Sequence, residues 1–185
     1  MSIATLLAHS KSAKIAKLQG VIYEEAVMKR LASILTIGIA AALLGAGDSG
    51  KSFTHKKEET KVFEMTNQER KAKDVRALKL NPALSKIARA HSENMVKQGK
   101  FDHKLDDKGL IDRLRDAGYK FMKAAENIAI GEKGASQEAV MKSWMESELH
   151  RTNLLNPDYT EIGVGVATDK DGQVYYTQVF GKPLK

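Results

Sequence analysis

The chain has 185 residues and a mass of 20.4 kDa, and its composition of 42% hydrophobic and 29% charged residues is typical of a soluble globular protein. It contains no cysteine, which excludes a disulfide scaffold, a cysteine metal site and a thiol nucleophile. Residues 1–47 carry five basic and two acidic side chains, against 25 and 21 in residues 48–185. This mixed distribution excludes the basic stripe of a nucleic-acid-binding surface, so no nucleic-acid partner is predicted.

The N-terminal segment has the pattern of an export signal. Residues 31–44 form an uncharged apolar run that follows the basic pair after Met28 and ends in a Gly-Ala-Gly stretch. A basic start, a short apolar core and small residues at the end are the three parts of a secretory signal. We predict a signal peptide over residues 28–47, cleavage near Gly47, and a periplasmic or secreted mature protein. The hypothesis for residues 1–27 is an extension that is not translated.

A membrane anchor is the alternative interpretation of the same run. With its glycine and alanine flank, the run approaches the roughly 20 residues that a spanning helix needs. Either interpretation limits membrane contact to the signal or anchor.

The phosphate-binding-loop pattern GAGDSGKS occupies residues 45–52. Such a loop must lead into a helix packed on a sheet, whereas residues 53–59 are polar and lack an apolar face. Cleavage near Gly47 would also divide the pattern. We therefore predict no nucleotide site, and a nucleotide enzyme is the least favoured function.

The polar residues 48–60 predict a linker, and residues 61–185 predict one domain. Four helices are expected in chain order: over residues 62–78, from the Asn81-Pro82 cap to Gly99, around Leu110 and ending at Gly118, and from Ser136 to about Glu148.

Strand patterns are concentrated in the C-terminal half. Apolar or alternating runs cover residues 127–130, 162–166 and 173–180, and the turn sequence Asp-Lys-Asp-Gly at 169–172 predicts an antiparallel hairpin. Helices followed by a hairpin indicate an α+β domain with helices on a small antiparallel sheet.

Five blocks of sequence, in order over about 120 residues, form the most specific pattern in the chain. They are LNPAL at 80–84 with FDH at 101–103, AENIA at 125–129, WMESELHR at 144–151 with NLLNP at 153–157, IGVG at 162–165, and YTQVF at 176–180. These blocks resemble the CAP superfamily of cysteine-rich secretory, antigen 5 and pathogenesis-related proteins, in its bacterial SCP-domain branch. The resemblance implies a three-layer α-β-α sandwich.

The resemblance also implies a cleft lined by two histidines and two glutamates, which in some members holds a divalent metal. By position, His103 corresponds to the first histidine and Glu126 to the first glutamate. The second glutamate position is not a glutamate here, and the adjacent Glu146 is the candidate. Tyr175 occupies the second histidine position, while His150 corresponds to the histidine of the bacterial tryptophan block.

Two functions remain open on this resemblance. The first is a binding module whose cleft, lined by the five residues just named, holds a small hydrophobic or envelope ligand such as a lipid. The second is a metal-assisted hydrolase in which His103, Glu126 and His150 hold zinc or magnesium. The incomplete tetrad favours binding, because catalysis tolerates a missing group less well. Outside the cleft, we expect His91 to be a packed, hydrogen-bonded core histidine and Trp144 to be a core anchor.

Overall fold

A computed structural model describes residues 53–184, and it places five helices and four strands there. In chain order they are α1 Lys57–Ala72, β1 Lys79–Leu80, α2 Pro82–Gln98, α3 Leu110–Asp116, β2 Phe121–Gly131, α4 Gln137–Glu146, α5 Glu148–Leu155, β3 Glu161–Thr168 and β4 Val174–Pro183. The predicted signal peptide, its alternative as an anchor, and the phosphate-loop pattern lie outside these residues. None of the described helices is long and apolar enough to cross a membrane.

The four strands form one sheet in the order β1-β3-β4-β2. The β3–β4 and β4–β2 pairs are antiparallel, and the short β1 pairs with β3 in parallel. The predicted hairpin is confirmed, with Gly172 at a φ of 87° in the turn between β3 and β4. The sequence underestimated β2, whose N-terminal half lacks an apolar alternation, and missed the two-residue β1.

Helices cover both faces of the sheet, which confirms the predicted α-β-α sandwich. One face packs on α2 and α3 through a cluster formed by Leu84, Ile87, Ala88, Leu114 and Val179. The other face packs on α1, α4 and α5 through a larger cluster that includes Val62, Val140, Trp144, Leu154, Ile162 and Phe180. Neighbouring strand residues point to opposite faces, so Tyr175 and Tyr176 belong to different clusters.

The backbone of α2 lies directly against β3. A Cβ atom added to Gly165 would lie 2.1 Å from the backbone nitrogen of Arg89, and one added to Gly163 would lie 2.1 Å from the carbonyl carbon of Leu84. The Ser92 hydroxyl also donates to the Gly165 carbonyl over 3.1 Å. The glycines of the IGVG block therefore set the distance between helix and sheet.

Helix α1 differs most from its prediction. It begins at Lys57, so residues 57–60 of the predicted linker belong to it, and it ends at Ala72 rather than near residue 78. Its buried positions are Glu59, Val62, Thr66 and Arg70, which are spaced as a helix face but are mostly polar. The helical period was therefore hidden from a search for apolar residues.

The free edge of β2 is covered by side chains from α4 and α5. The indole nitrogen of Trp144 donates to the Ile128 carbonyl over 3.1 Å, and the Asn153 amide donates to the Glu126 carbonyl over 3.4 Å. Trp144 is 1% exposed, which confirms it as a core anchor.

Candidate functional site

The carboxylate of Glu126, on β2, is surrounded by three other side chains. They are His91 on α2, His103 in the loop that follows α2, and Arg113 on α3, and we call the four residues together the Glu126 cluster. His103 Nδ1 lies 2.8 Å from Glu126 Oε1. Arg113 Nη2 donates to Oε1 over 3.0 Å and to Oε2 over 2.9 Å. His91 Nε2 lies 3.8 Å from Oε1, beyond hydrogen-bond distance.

Local structure explains why these residues meet. Helix α2 ends at Gly99, which has a φ of 60° and turns the chain back along the sheet. The loop that follows carries His103, and Arg113 Nη2 donates to the His103 carbonyl over 3.1 Å. One guanidinium nitrogen thus holds both the loop and the Glu126 carboxylate.

The cluster keeps Glu126 ionised although its side chain is only 3% exposed. Burial pushes the pKa of Glu126 up, but the hydrogen bond from His103 and the charge of Arg113 outweigh burial and leave the pKa below its usual range. Both carboxylate oxygens are already engaged. Glu126 is therefore a fixed anion rather than a free acid or base.

His91 is packed as predicted, with 1% exposure, and the expected hydrogen bond is present only as a weak contact with the Asp102 backbone. Neither ring nitrogen makes a hydrogen bond of normal length and angle to a described residue, and Arg113 Nη1 is equally unpartnered and buried. Burial lowers the pKa of His91 to about 4, opposed by Glu126, so the ring is neutral at pH 7. Unpartnered polar atoms are rare in protein interiors, and three here lie within one cluster.

An open groove of about 370 Å³ lies beside these atoms. Its walls are formed by Ala90, His91, Glu93, Asn94, Lys97 and Arg113. A second depression, of about 550 Å³, lies along the loop after α2 and is lined mainly by charged side chains between residues 98 and 107. Of these two, the first groove reaches the Glu126 cluster.

The structure brings His103 and Glu126 together, and it places His150 nearby on α5. Burial, followed by the charge of His103, lowers the pKa of His150. The His150 carbonyl accepts a hydrogen bond from Asn127 Nδ2 over 3.1 Å. Asn127 lies on the opposite face of β2 from Glu126, so α5 passes the edge of that strand.

Within residues 53–184, the other two candidates make no hydrogen bond or ion pair with the Glu126 cluster. Glu146 is exposed at the end of α4 and forms an ion pair with Lys142 at 3.8 Å. The predicted fourth helix breaks at Ser147, whose backbone is extended, so Glu146 and His150 belong to different helices. Tyr175 is buried in an apolar cluster and donates from its hydroxyl to Gln173 over 3.1 Å.

The donor set of His103, Glu126 and His150 does not fit a zinc or magnesium site. No group of three His, Asp or Glu side chains within residues 53–184 is placed to hold a metal ion. Instead, the Arg113 guanidinium occupies the cation position against both oxygens of Glu126. A metal ion there would have to displace a bidentate charged hydrogen bond.

Sequence reasoning missed Arg113. A buried carboxylate needs a cationic partner, and the predicted third helix offered Arg113 and Arg115. Only folding distinguishes them: Arg113 faces Glu126, while the Arg115 side chain is 73% exposed.

Residues 63–180 match the CAP family, described as the cysteine-rich secretory protein family. The chain belongs to the CAP family. It is 42% identical over 125 residues to the uncharacterized protein YkwD of Bacillus subtilis, a match that covers 67% of this chain and 47% of YkwD. The chain thus spans less than half of that relative.

Two solved structures share this CAP fold. An extracellular protein containing a SCP domain from Bacillus anthracis is 32% identical with a TM-score of 0.62, over 68% of this chain and 40% of that one. An outer surface protein of Borrelia burgdorferi has a TM-score of 0.64 over 71% of this chain and 97% of its own. At 22% identity, the second shows the fold alone.

Proposed function

We propose that this CAP domain is an exported binding module that holds a small envelope ligand in the groove beside the Glu126 cluster. One observation carries the proposal: buried nitrogens of His91 and Arg113 make no hydrogen bond of normal geometry to a described residue, at the wall of an open groove. Leaving a buried polar group unpaired costs about 1–3 kcal/mol. A ligand that supplied the missing partners would recover that energy.

The state of Glu126 favours binding over hydrolysis. A general base or nucleophile must present a free lone pair to its substrate, whereas the oxygens of Glu126 accept from Arg113 and His103. The carboxylate acts instead as an anchor that orients both neighbours towards the groove.

Export rests on two supports. Residues 28–47 have the composition of a signal peptide. The similar SCP-domain protein from Bacillus anthracis is described as extracellular. An extracytoplasmic domain would meet lipids and other envelope components, which are the ligand sources we infer.

Native mass spectrometry of the full chain, recovered from the envelope of its own cells, tests this function. We expect a polypeptide that begins near Asp48 and retains a non-protein mass. Ala90→Trp would fill the groove from an exposed position of its wall and should abolish that mass. Ala83→Trp, at an exposed position of the same helix, is the matched control.

A polypeptide without any retained mass, or the same mass on Ala90→Trp, would contradict the binding function. Zinc or magnesium should leave the melting temperature unchanged, and a chelator should leave the retained ligand in place. A metal-dependent increase in melting temperature would instead support the metal-assisted hydrolase.

A further inference from the structure

We propose that the groove anchors its ligand through an oxyanion, a carboxylate or phosphate group, bound by Arg113 Nη1 and Lys97 over the ring of His91. This inference rests on the proposed function and names the chemistry of its ligand. It begins from the hydrogen bonds that the cluster leaves unmade.

Arg113 engages two of the three nitrogens of its guanidinium and leaves the third without a partner among the described residues. Nη2 donates to Glu126 and to the His103 carbonyl, and Nε lies 3.4 Å from the Gly109 carbonyl. Nη1 is buried without a partner among the described residues. A guanidinium only donates hydrogen bonds, so whatever completes Nη1 must be an acceptor.

The His91 ring lies beside this guanidinium. Its Nε2 and Arg113 Nη2 lie 3.8 Å and 3.0 Å from the same oxygen of Glu126, so the two side chains are adjacent. The neutral ring has one N–H donor and one acceptor nitrogen. The N–H of the ring is directed to the Asp102 backbone. Arg113 Nη1 and the Lys97 ammonium are therefore the donors left on this wall for a group with two acceptor oxygens, such as a carboxylate or a phosphate.

The groove wall also carries a cationic donor. Lys97 lies on the wall, is exposed, and forms no ion pair with any residue of 53–184. Glu93 is the wall's only acidic residue, and it lies one turn from Lys97 on α2. Arg113 balances Glu126, and Glu93 offsets Lys97, so the wall carries no excess charge. An anion is therefore favoured by the unused donors of Arg113 and Lys97 rather than by net charge.

The test titrates the full chain with sodium phosphate and sodium acetate at constant ionic strength, followed by amide chemical shifts. We expect saturable shifts along α2 near Ala90 and Lys97, with a dissociation constant in the millimolar range. Arg113→Lys retains a cation for Glu126 but removes the spare donor. It should weaken binding about ten-fold, the value of one charge-assisted hydrogen bond.

Arg115→Lys is the matched control, because Arg115 lies on the same helix and is exposed. It should leave the dissociation constant unchanged. If Arg113→Lys fails to fold, Lys97→Gln takes its place, with Lys86→Gln at another exposed position of α2 as control. We expect about three-fold weaker binding for Lys97→Gln and unchanged binding for Lys86→Gln.

Two outcomes would overturn the oxyanion site: no saturable shift with either anion, or equal effects of the test and control variants. Vesicles containing phosphatidylglycerol distinguish a lipid headgroup from a free anion, because only a headgroup site would bind the vesicles and lose them with Arg113→Lys. If the protein retains a ligand mass that Arg113→Lys does not change, the oxyanion site is contradicted and the binding function stands. If the protein binds anions but retains no ligand mass, the binding function is contradicted and the oxyanion site stands.

Discussion

Two buried carboxylates in this domain are each held by an arginine, and they differ in what remains unpaired. Glu59, at the start of α1, accepts hydrogen bonds from Arg89 and from the backbone nitrogens of Lys56 and Val166. Arg89 in turn donates to the Thr54 carbonyl and lies 4.1 Å from the ring centroid of Phe53. Within the described part of the chain, neither Glu59 nor Arg89 has a buried polar atom without a partner.

The Glu126 cluster also holds a buried carboxylate by an arginine, but some of its buried nitrogens lack hydrogen-bond partners. Three buried nitrogens of Arg113 and His91 make no hydrogen bond of normal geometry within residues 53–184, and an open groove passes beside them. Burial raises and hydrogen bonding lowers the pKa of both Glu59 and Glu126, and both pKa values lie below their usual range. Since ionisation is the same, spare hydrogen-bonding capacity distinguishes the binding candidate from the structural pair.

The largest effect should come from breaking the closed pair. Arg89→Met leaves the Glu59 carboxylate buried without its cation, which costs about 3–5 kcal/mol of unfolding free energy. Urea denaturation measures this loss. Arg115→Met, an exposed arginine, should cost less than about 0.5 kcal/mol. A loss for Arg89→Met as small as that of its control would show that the pair is not structural.

A somewhat smaller loss should follow when α2, which carries Arg89 of the closed pair and His91 of the Glu126 cluster, is displaced. Gly165→Ala places a methyl group against the α2 backbone and should cost about 3 kcal/mol, near the upper end for an overpacked site. Gly109→Ala is the control, because its Cβ would have no neighbour closer than 3.9 Å. Thermal unfolding of both variants measures the difference. Equal melting temperatures would mean that helix and sheet separate easily.

The smallest of the three effects is a pH dependence of stability that comes from His91 in the open cluster. Unfolded His91 binds a proton near pH 6.5, whereas the folded residue does so near pH 4. Between these values the unfolded chain holds more protons, so stability is complete above pH 6.5 and decreases as the pH falls. From pH 7 to pH 5 we expect His91 to account for a loss of about 2 kcal/mol.

His91→Phe keeps a ring in the same space and should remove that share of the slope. Urea denaturation at pH 7, 6 and 5 measures it. Glu59 and Glu126 affect stability at lower pH, because their pKa values lie below the usual range for a carboxyl group. The free energy of unfolding that they contribute is lost as the two carboxylates become protonated. An unchanged slope in His91→Phe would assign the pH dependence to other groups.

The sequence predicted those parts of the fold that local chemistry encodes. Helix α2 was recognised because Asn81 accepts from the backbone nitrogens of Ala83 and Leu84 at its start, and Gly99 ends it. The β3–β4 hairpin was recognised from alternation and its turn. Helix α1 was misplaced because its buried face is mostly polar and is paired with groups far along the chain, as Arg70 is with the Leu154 carbonyl.

The site was predictable only in part. Resemblance to a family located His103 and Glu126, which the structure brings to hydrogen-bond distance. It gave no sign of Arg113, the cation that lies beside Glu126. The partners of a buried charge depend on which loops and helices converge, and that convergence is set by tertiary packing rather than by spacing.

The covered edge of the sheet has a consequence for how this domain coexists with others. Unpaired strand edges invite pairing between molecules, which leads to strand addition and aggregation. Here one outer strand, β1, is only two residues long, and the other, β2, has carbonyls occupied by Trp144 and Asn153. Because one outer strand is short and the other has two of its carbonyls occupied, we expect this domain to resist strand pairing with a neighbouring molecule.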